Sequence, residues 1–204
     1  MATTHGEFYR GAEAASAALA AHAHADPAER AAAVHTAMAP LLADPGDGAP
    51  RACRDGCAHC CHFPVGITYG EALRLAAAVT TSPPLHARVL TAVAADDDRD
   101  WRQLIGRPCP LLHDGRCSTY AARPLPCRAL VSSDAAACAE ALHGGGAAPR
   151  DEVAFWRGLG AAATLAAHEP AGSRELRSAL AALLAVGDEP GAAAIAFRAA
   201  RPVG

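Results

Sequence analysis

The sequence predicts a mostly α-helical fold, in which a helical domain carries two irregular cysteine-rich metal-binding loops and a small hairpin. Alanine-rich segments with helix start and stop signals fill both ends of the chain. No segment outside the hairpin alternates apolar and polar residues as a half-buried strand would. All eight cysteines fall between residues 53 and 138. With 204 residues the chain can bury a core without metal or disulfide staples, so we expect one compact domain.

Residues 1–45 are predicted to form the N-terminal helices. The first runs roughly from Gly11 to Ala25. Asp26-Pro27 caps and starts the second helix, which is expected to end near Pro40. The glycine- and proline-rich residues 44–50 are expected to be a loop.

Two more helices are predicted between the two cysteine groups. Thr68 and Glu71 have the spacing of a capping box and open a helix whose inward face would contain Leu73, Leu75 and Val79. Residues 82–84 (SPP) break this helix. A longer helix is expected from about Leu85 to Ile105, with its inward residues at Leu90, Val93, Trp101 and Ile105. The acidic run at residues 96–100 (DDDRD) is expected to be a solvated face.

The cysteine-cluster metal-binding region is predicted over residues 46–140, and C-terminal helices over residues 141–204. Asp114-Gly115 is typical of a hairpin turn. Ser118 is expected to cap a one-turn helix, and a short helix carries Cys138. After the glycine-rich break at residues 143–149, helices are expected roughly over residues 151–167 and 173–186, with one more short helix from Pro190.

Composition and charge limit the classes of partner. The formal net charge is −3, the sequence pI is about 6.3 and no basic stripe is visible, so we expect no nucleic acid partner. The chain opens without a basic start and apolar run, and no apolar stretch approaches the ~20 residues of a membrane span, so we expect no membrane partner and a cytoplasmic location. In the reducing cytosol, eight cysteines favour metal or redox chemistry over a disulfide scaffold.

The cysteine spacing indicates a metal site. Cys57 and Cys60 have the C-x-x-C spacing that lets two thiolates reach one metal, and Cys53 adds a third from the same loop. Cys60 and Cys61 are adjacent, and adjacent side chains usually diverge. They therefore either serve different centres, or one binds a cluster while the other packs elsewhere. His59 and His62 could be ligands, but with so many thiols present a supporting position behind the ligands is the expected one.

The second group supplies further thiols at Cys109, Cys117 and Cys127, with Cys138 beyond them as an eighth candidate. Soft thiolates suit both zinc and iron. The loop Cys53-x3-Cys57-x2-Cys60 and the Cys109-Pro110 pair are both similar to cluster-binding runs, which favours an iron–sulfur cluster, 4Fe-4S, over zinc. Whether one centre or two is present stays open at this point.

The two cysteine groups together resemble the YkgJ-type CxxCxxCC cysteine-cluster family, which is described as a zinc- or iron-chelating domain. The resemblance rests on three runs, in order: Cys53-x3-Cys57-x2-Cys60-Cys61, Cys109-Pro110-Leu111-Leu112 and Cys117-x2-Tyr120-x2-Arg123-Pro124-x2-Cys127-Arg128. It implies that the seven cysteines are metal or cluster ligands, and that Tyr120, Arg123, Pro124 and Arg128 support them. The family includes flagellin lysine N-methylases that are thought to carry an iron–sulfur cluster.

Three functions follow as hypotheses. The first is a cytosolic metal-binding protein that holds an iron–sulfur cluster, or zinc, in a redox, metal-handling or accessory role for a protein or peptide partner. The second is an S-adenosylmethionine-dependent N-methyltransferase or another protein-modifying enzyme, which the resemblance alone implies. The third is an interaction domain built around a structural zinc, whose closed four-thiolate shell leaves no open position. The sequence does not decide whether the protein is an enzyme.

Overall fold

A computed structural model describes residues 2–44, 50–54, 56–187 and 189–203. Within these ranges the chain forms helices α1 Ala2–Ala21, α2 Pro27–Ala43, α3 Tyr69–Thr80, α4 Pro83–Ala94, α5 Leu125–Ala129, α6 Ala135–Leu142, α7 Glu152–Ala167, α8 Leu176–Val186 and α9 Pro190–Ala199. The strands are β1 Gly66–Ile67, β2 Leu112–His113, β3 Arg116–Cys117 and β4 Arg174–Glu175. Two short 3₁₀ turns cover His59–His62 and Tyr120–Ala122. The prediction of a mostly α-helical fold is confirmed.

The first of two hydrophobic clusters is formed by α1, α2, α5 and α7, with Val34, Met38 and Leu165 fully buried in it. Helices α1 and α7 pack at glycines. A Cβ built on Gly11 would lie 1.9 Å from the Arg157 carbonyl oxygen, and one on Gly160 would lie 2.0 Å from the Phe8 carbonyl oxygen. Only a residue without a side chain permits this approach of the two backbones.

The second cluster is formed mainly by α3, α4, α8 and α9, and its largest fully buried side chain is Phe197. Strands β1 and β4 pair antiparallel beside it, with Gly66 opposite Glu175 and Ile67 opposite Arg174. The expectation of no strand beyond the hairpin was therefore wrong. Each of these strands has two residues, which is too short for an alternating pattern to show in the sequence.

The capping predictions for α2 and α3 are confirmed. Asp26 caps α2 through a capping box with Glu29, and Thr68 caps α3 through a capping box with Glu71. Helix α1 starts earlier than predicted, at Ala2, and α2 continues through Pro40 to Ala43. Most of the loop expected at residues 44–50 lies outside the described residues.

The long helix predicted from Leu85 to Ile105 was wrong. Helix α4 begins at Pro83 and ends at Ala94, and turns follow it. Of the residues predicted to face inward, Val93 is buried and Trp101 is half-buried. Leu90 and Ile105 are instead 40% and 53% exposed.

The acidic run at residues 96–100 is not all solvated. Asp97, Asp98 and Asp100 are exposed, but Asp96 is buried. Its carboxylate forms ion pairs at 3.0–3.1 Å with the arginines Arg99, Arg107 and Arg177. A buried carboxylate requires such partners, and they come from positions that the local sequence does not reveal.

The hairpin prediction is confirmed. Strands β2 and β3 pair antiparallel, and Asp114 and Gly115 have φ of 48° and 73°, as a type I′ turn requires. Ser118 does not cap the following 3₁₀ turn. The N-cap of that turn is Thr119, whose side chain makes no capping hydrogen bond. The Ser118 hydroxyl instead accepts a hydrogen bond from Arg88 Nη2 at 2.7 Å. Helices α6 to α9 lie close to their predicted positions. Among the described residues, no helix combines the length and apolar character needed to cross a bilayer.

Candidate metal centre

Seven of the eight cysteines line one cavity of about 880 Å³. These are Cys53, Cys57, Cys60, Cys61, Cys109, Cys117 and Cys127. The cavity also has an apolar wall, which includes Leu42 of α2 with Phe155, Leu159 and Ala162 of α7. The sequence-predicted ligands of both groups therefore face a common space. Cys138 does not line this cavity.

The first cysteine group is held by a tight local fold. The 3₁₀ turn His59–His62 contains both Cys60 and Cys61, and the Cys61 amide donates to the Ala58 carbonyl at 3.0 Å. The Cys57 amide donates to the Arg54 carbonyl at 3.0 Å. At the start of the loop, the Ser132 amide donates to Cys53 Sγ at 3.3 Å. These hydrogen bonds hold the loop that carries the first four cysteines.

Backbone hydrogen bonds join the second cysteine group to the first. The Cys109 amide donates to the Cys61 carbonyl at 2.7 Å, and the Gly106 amide donates to the His62 carbonyl at 2.8 Å. The hairpin then presents Cys117 opposite Leu112, and Cys117 Sγ lies 3.7 Å from Thr119 Oγ1. Because of these bonds, cysteines far apart in the sequence meet at one cavity.

Buried Glu71 positions the helix that carries Cys127. Its Oε1 accepts from the Leu125 amide, the first of α5, at 2.6 Å and lies 3.0 Å from His35 Nε2. Its Oε2 accepts from the Thr68 amide at 3.0 Å. Burial alone would raise the pKa of Glu71, but these hydrogen bonds hold the pKa below its ordinary value. The ionised carboxylate therefore links α2, α3 and α5 beside the cavity.

Arg177 supports the loop before Cys109. Its guanidinium, buried between Asp96 and Glu175, donates through Nη2 to the carbonyls of Arg107 and Pro108 at 3.0 Å each. This fixes the backbone immediately before the cysteine.

The surroundings of several cavity cysteines favour the neutral thiol. Burial raises the pKa of Cys109 to about 11. Burial, followed by the nearby Cys109, Cys60 and Cys117, raises the pKa of Cys127 well above its ordinary value. A hydrogen bond with Cys61, followed by burial, raises the pKa of Cys60. A bound cation would offset this cost, because it favours thiolate.

The donor set fits a thiophilic metal. Thiolates are the preferred ligands of structural zinc and of iron–sulfur clusters. Among the described residues, no three cysteine, histidine, aspartate or glutamate side chains already converge as a metal-ion site. Binding therefore requires the thiols around the cavity to turn toward the metal. The residues that would hold it are the cavity-lining cysteines.

The predicted supporting residues lie in different surroundings. Arg123 stacks on Tyr120, with its guanidinium carbon 3.7 Å from the ring centroid, and its charge lowers the pKa values of Cys60 and Cys127 against the stronger effects that raise them. Arg128 donates to the carbonyls of Arg123 and Ala121 at 2.6 and 2.5 Å, which closes the turn before α5.

The two histidines do not line the cavity. Both lie half-buried in the 3₁₀ turn, and His62 Nδ1 lies 3.1 Å from the Ala58 carbonyl oxygen. Their role behind the ligands remains a prediction. Sequence reasoning interpreted Glu71 only as a helix cap and did not single out Ser132. Nothing in the local sequence shows that these residues reach α5 and Cys53.

Comparison with known proteins agrees with the chemistry of this cavity. Residues 52–143 match the family model CxxCxxCC, described as "Putative zinc- or iron-chelating domain". Residues 52–143 are therefore similar to the CxxCxxCC family, which confirms the resemblance that the cysteine spacing indicated. The matched residues include Cys138 and leave most of the helical ends outside. No curated protein and no solved structure matches the chain.

Proposed function

We propose that the protein binds an iron–sulfur cluster of the 4Fe-4S type through its cavity-lining cysteines and acts in a redox, metal-handling or accessory role for a partner protein. The observation that carries this proposal is that seven cysteines from two distant segments line one cavity. When bound, such a cluster supplies one-electron transfer. The reducing cytosol, which keeps thiols available for a metal, is the compartment we propose.

The chain's own residues give the cavity three properties that suit this role. The cysteines provide soft donors, Arg123 provides positive charge beside Cys60 and Cys127, and the apolar wall limits water. Glu71 and Arg177 hold the backbone of the second cysteine group in place through hydrogen bonds to its main-chain atoms.

The test is purification without oxygen, followed by analysis of iron, acid-labile sulfide and zinc and by a visible absorbance spectrum. We expect a brown protein with iron and sulfide in equal amounts. Cys57→Ser should lose metal, whereas Ala58→Ser, which adds the same hydroxyl at the next position, should retain it. A colourless protein with stoichiometric zinc would support the structural-zinc alternative, and a folded, metal-free protein would contradict both.

One observation favours a second candidate function, the modification of a protein or peptide. The cavity of about 880 Å³ falls within the range of small-molecule sites, so it has room for an organic ligand beside the cysteines. Calorimetry of the metal-loaded protein with S-adenosylmethionine tests the methyltransferase version of this function. Saturable binding would favour it, and the absence of binding heat at millimolar ligand would count against it.

A further inference from the structure

We infer that the eight cysteines form two separate four-thiolate metal sites, and that the division falls between the adjacent residues Cys60 and Cys61. The first site consists of Cys53, Cys57, Cys60 and Cys138. The second site consists of Cys61, Cys109, Cys117 and Cys127. This inference rests on the proposed function, since it concerns how the cysteines share the metal.

The chain places Cys138 beside the first loop through Ser132. The Ser132 amide donates to Cys53 Sγ at 3.3 Å, and its carbonyl accepts from the Ala52 amide at 2.8 Å. Two residues later, Asp134 caps α6 by accepting from the Ala137 amide at 2.9 Å, and Cys138 lies in the first turns of that helix. The start of α6 is therefore fixed to the backbone around Cys53.

Helix α6 also packs against the 3₁₀ turn that contains Cys60. Cys138 is half-buried although it does not line the large cavity. It would therefore reach the first site from α6, outside that cavity. The electrostatics agree with this arrangement. Burial raises the pKa of Cys53, and the Cys57, Cys60 and Cys138 thiols raise the pKa further. Cys57 and Cys60 complete this set from the same loop as Cys53, through the C-x-x-C spacing that lets two thiolates reach one metal.

The second site is joined by backbone contacts that do not include Cys138. The Cys109 amide donates a hydrogen bond to the Cys61 carbonyl at 2.7 Å. The hairpin pairs Cys117 with Leu112, whose amide donates to the Cys109 carbonyl at 2.9 Å. Cys127 lines the same cavity from α5.

Cys60 and Cys61 lie at the junction. Both side chains line the cavity. The Cys61 carbonyl accepts a hydrogen bond from the Cys109 amide, whereas Cys60 shares the C-x-x-C spacing with Cys57. Four thiolates complete the shell of a zinc ion or hold one four-iron cluster, so eight cysteines suffice for two centres. Two centres held by consecutive residues would be immediate neighbours.

The experiment titrates the reduced, metal-free full chain with Co²⁺ and follows the absorbance of tetrahedral thiolate-bound cobalt. We expect two equivalents for the parent protein and one each for Cys138→Ser and Cys117→Ser. The double variant Cys117→Ser/Cys138→Ser should bind none in this form. Ala136→Ser, an exposed change on α6, should keep both equivalents. Far-UV circular dichroism of each variant verifies that the helices remain.

The outcomes separate this inference from the proposed function. A parent that binds one equivalent, or a folded Cys138→Ser that still binds two, overturns the two-site inference and leaves metal binding intact. Loss of all cobalt from both folded single variants indicates one shared centre and also overturns the inference. A folded parent that binds no cobalt contradicts the proposed function itself.

Discussion

At the scale of single residues, Glu71 is the group whose substitution would remove hydrogen bonds from several elements at once. It is fully buried, and its carboxylate accepts hydrogen bonds from the first amide of α5 and from the capping residue of α3. Glu71 has this supporting effect although it is not one of the proposed metal ligands. A change at Glu71 therefore separates the support of Cys127 from the binding chemistry of Cys127 itself.

We predict that Glu71→Gln lowers the free energy of unfolding of the metal-free protein by about 2–3 kcal/mol, because an amide cannot accept from both the Thr68 and Leu125 amides and from His35. Urea unfolding at pH 7 measures it. The pKa of Glu71 is below its ordinary value in the fold, so its contribution is present above the unfolded pKa and is lost as pH falls through the folded pKa. The exposed Glu140→Gln is the matched control, and an equal effect of both changes would contradict this role.

Glu169 has the opposite pH behaviour. Its Oε1 accepts from the Gly70 amide at 3.0 Å, while its Oε2 is buried without a hydrogen-bond partner. Burial raises the pKa of Glu169 from 4.5 to about 7. Between these two values the folded state binds more protons than the unfolded state, so this group makes the protein less stable as pH rises through that window.

We predict that Glu169→Gln removes this decline. Relative to the parent, its free energy of unfolding should gain about 3 kcal/mol between pH 4 and pH 8, because a shift of one pKa unit corresponds to about 1.4 kcal/mol. Urea unfolding across this pH range gives the two slopes. Parallel curves for parent and variant would contradict the assignment.

At the scale of elements, the contact of α1 with α7 depends on glycine. The Cβ positions of Gly11 and Gly160 coincide with backbone oxygens of the opposite helix, which cannot move aside as a flexible side chain could. Gly6, also in α1, has no atom within 4 Å of its Cβ position. The same substitution therefore has opposite expected effects at positions within one helix.

We predict that Gly11→Ala and Gly160→Ala each destabilise the protein by about 2 kcal/mol, because the two helices must separate. Gly6→Ala should instead stabilise it by about 0.5–1 kcal/mol through helix propensity. Thermal unfolding of the three variants measures these differences. If Gly11→Ala behaved like Gly6→Ala, the close packing described for α1 and α7 would be wrong.

The elements also show which parts of the fold could be predicted from the sequence. The caps of α2 and α3 and the turn at Asp114-Gly115 are encoded by residues within four positions of each other, so their patterns are visible locally. The pairing of β1 with β4 and the burial of Asp96 depend on partners far along the chain. No local pattern reports such partners, and these predictions failed for that reason.

At the scale of the whole molecule, two distant cysteine groups and helices from both ends of the chain surround one cavity. The cysteine spacing predicted the ligand chemistry, because thiol identity and proximity along the loop are written in the sequence. The apolar wall from α2 and α7 and the support from Glu71 could not be predicted, since they arise only when the helices pack. The family match covers residues 52–143, so most of this wall lies outside it.

The central claim is that this chain holds an iron–sulfur cluster, and native mass spectrometry of the anaerobically purified protein tests it most directly. The mass above that of the polypeptide identifies the bound atoms and counts them in a single measurement. We predict a mass increase equal to one or two 4Fe-4S units, which disappears after unfolding in acid with a chelator. The bare polypeptide mass from a folded sample, or a mass increase equal to zinc ions alone, would contradict this claim.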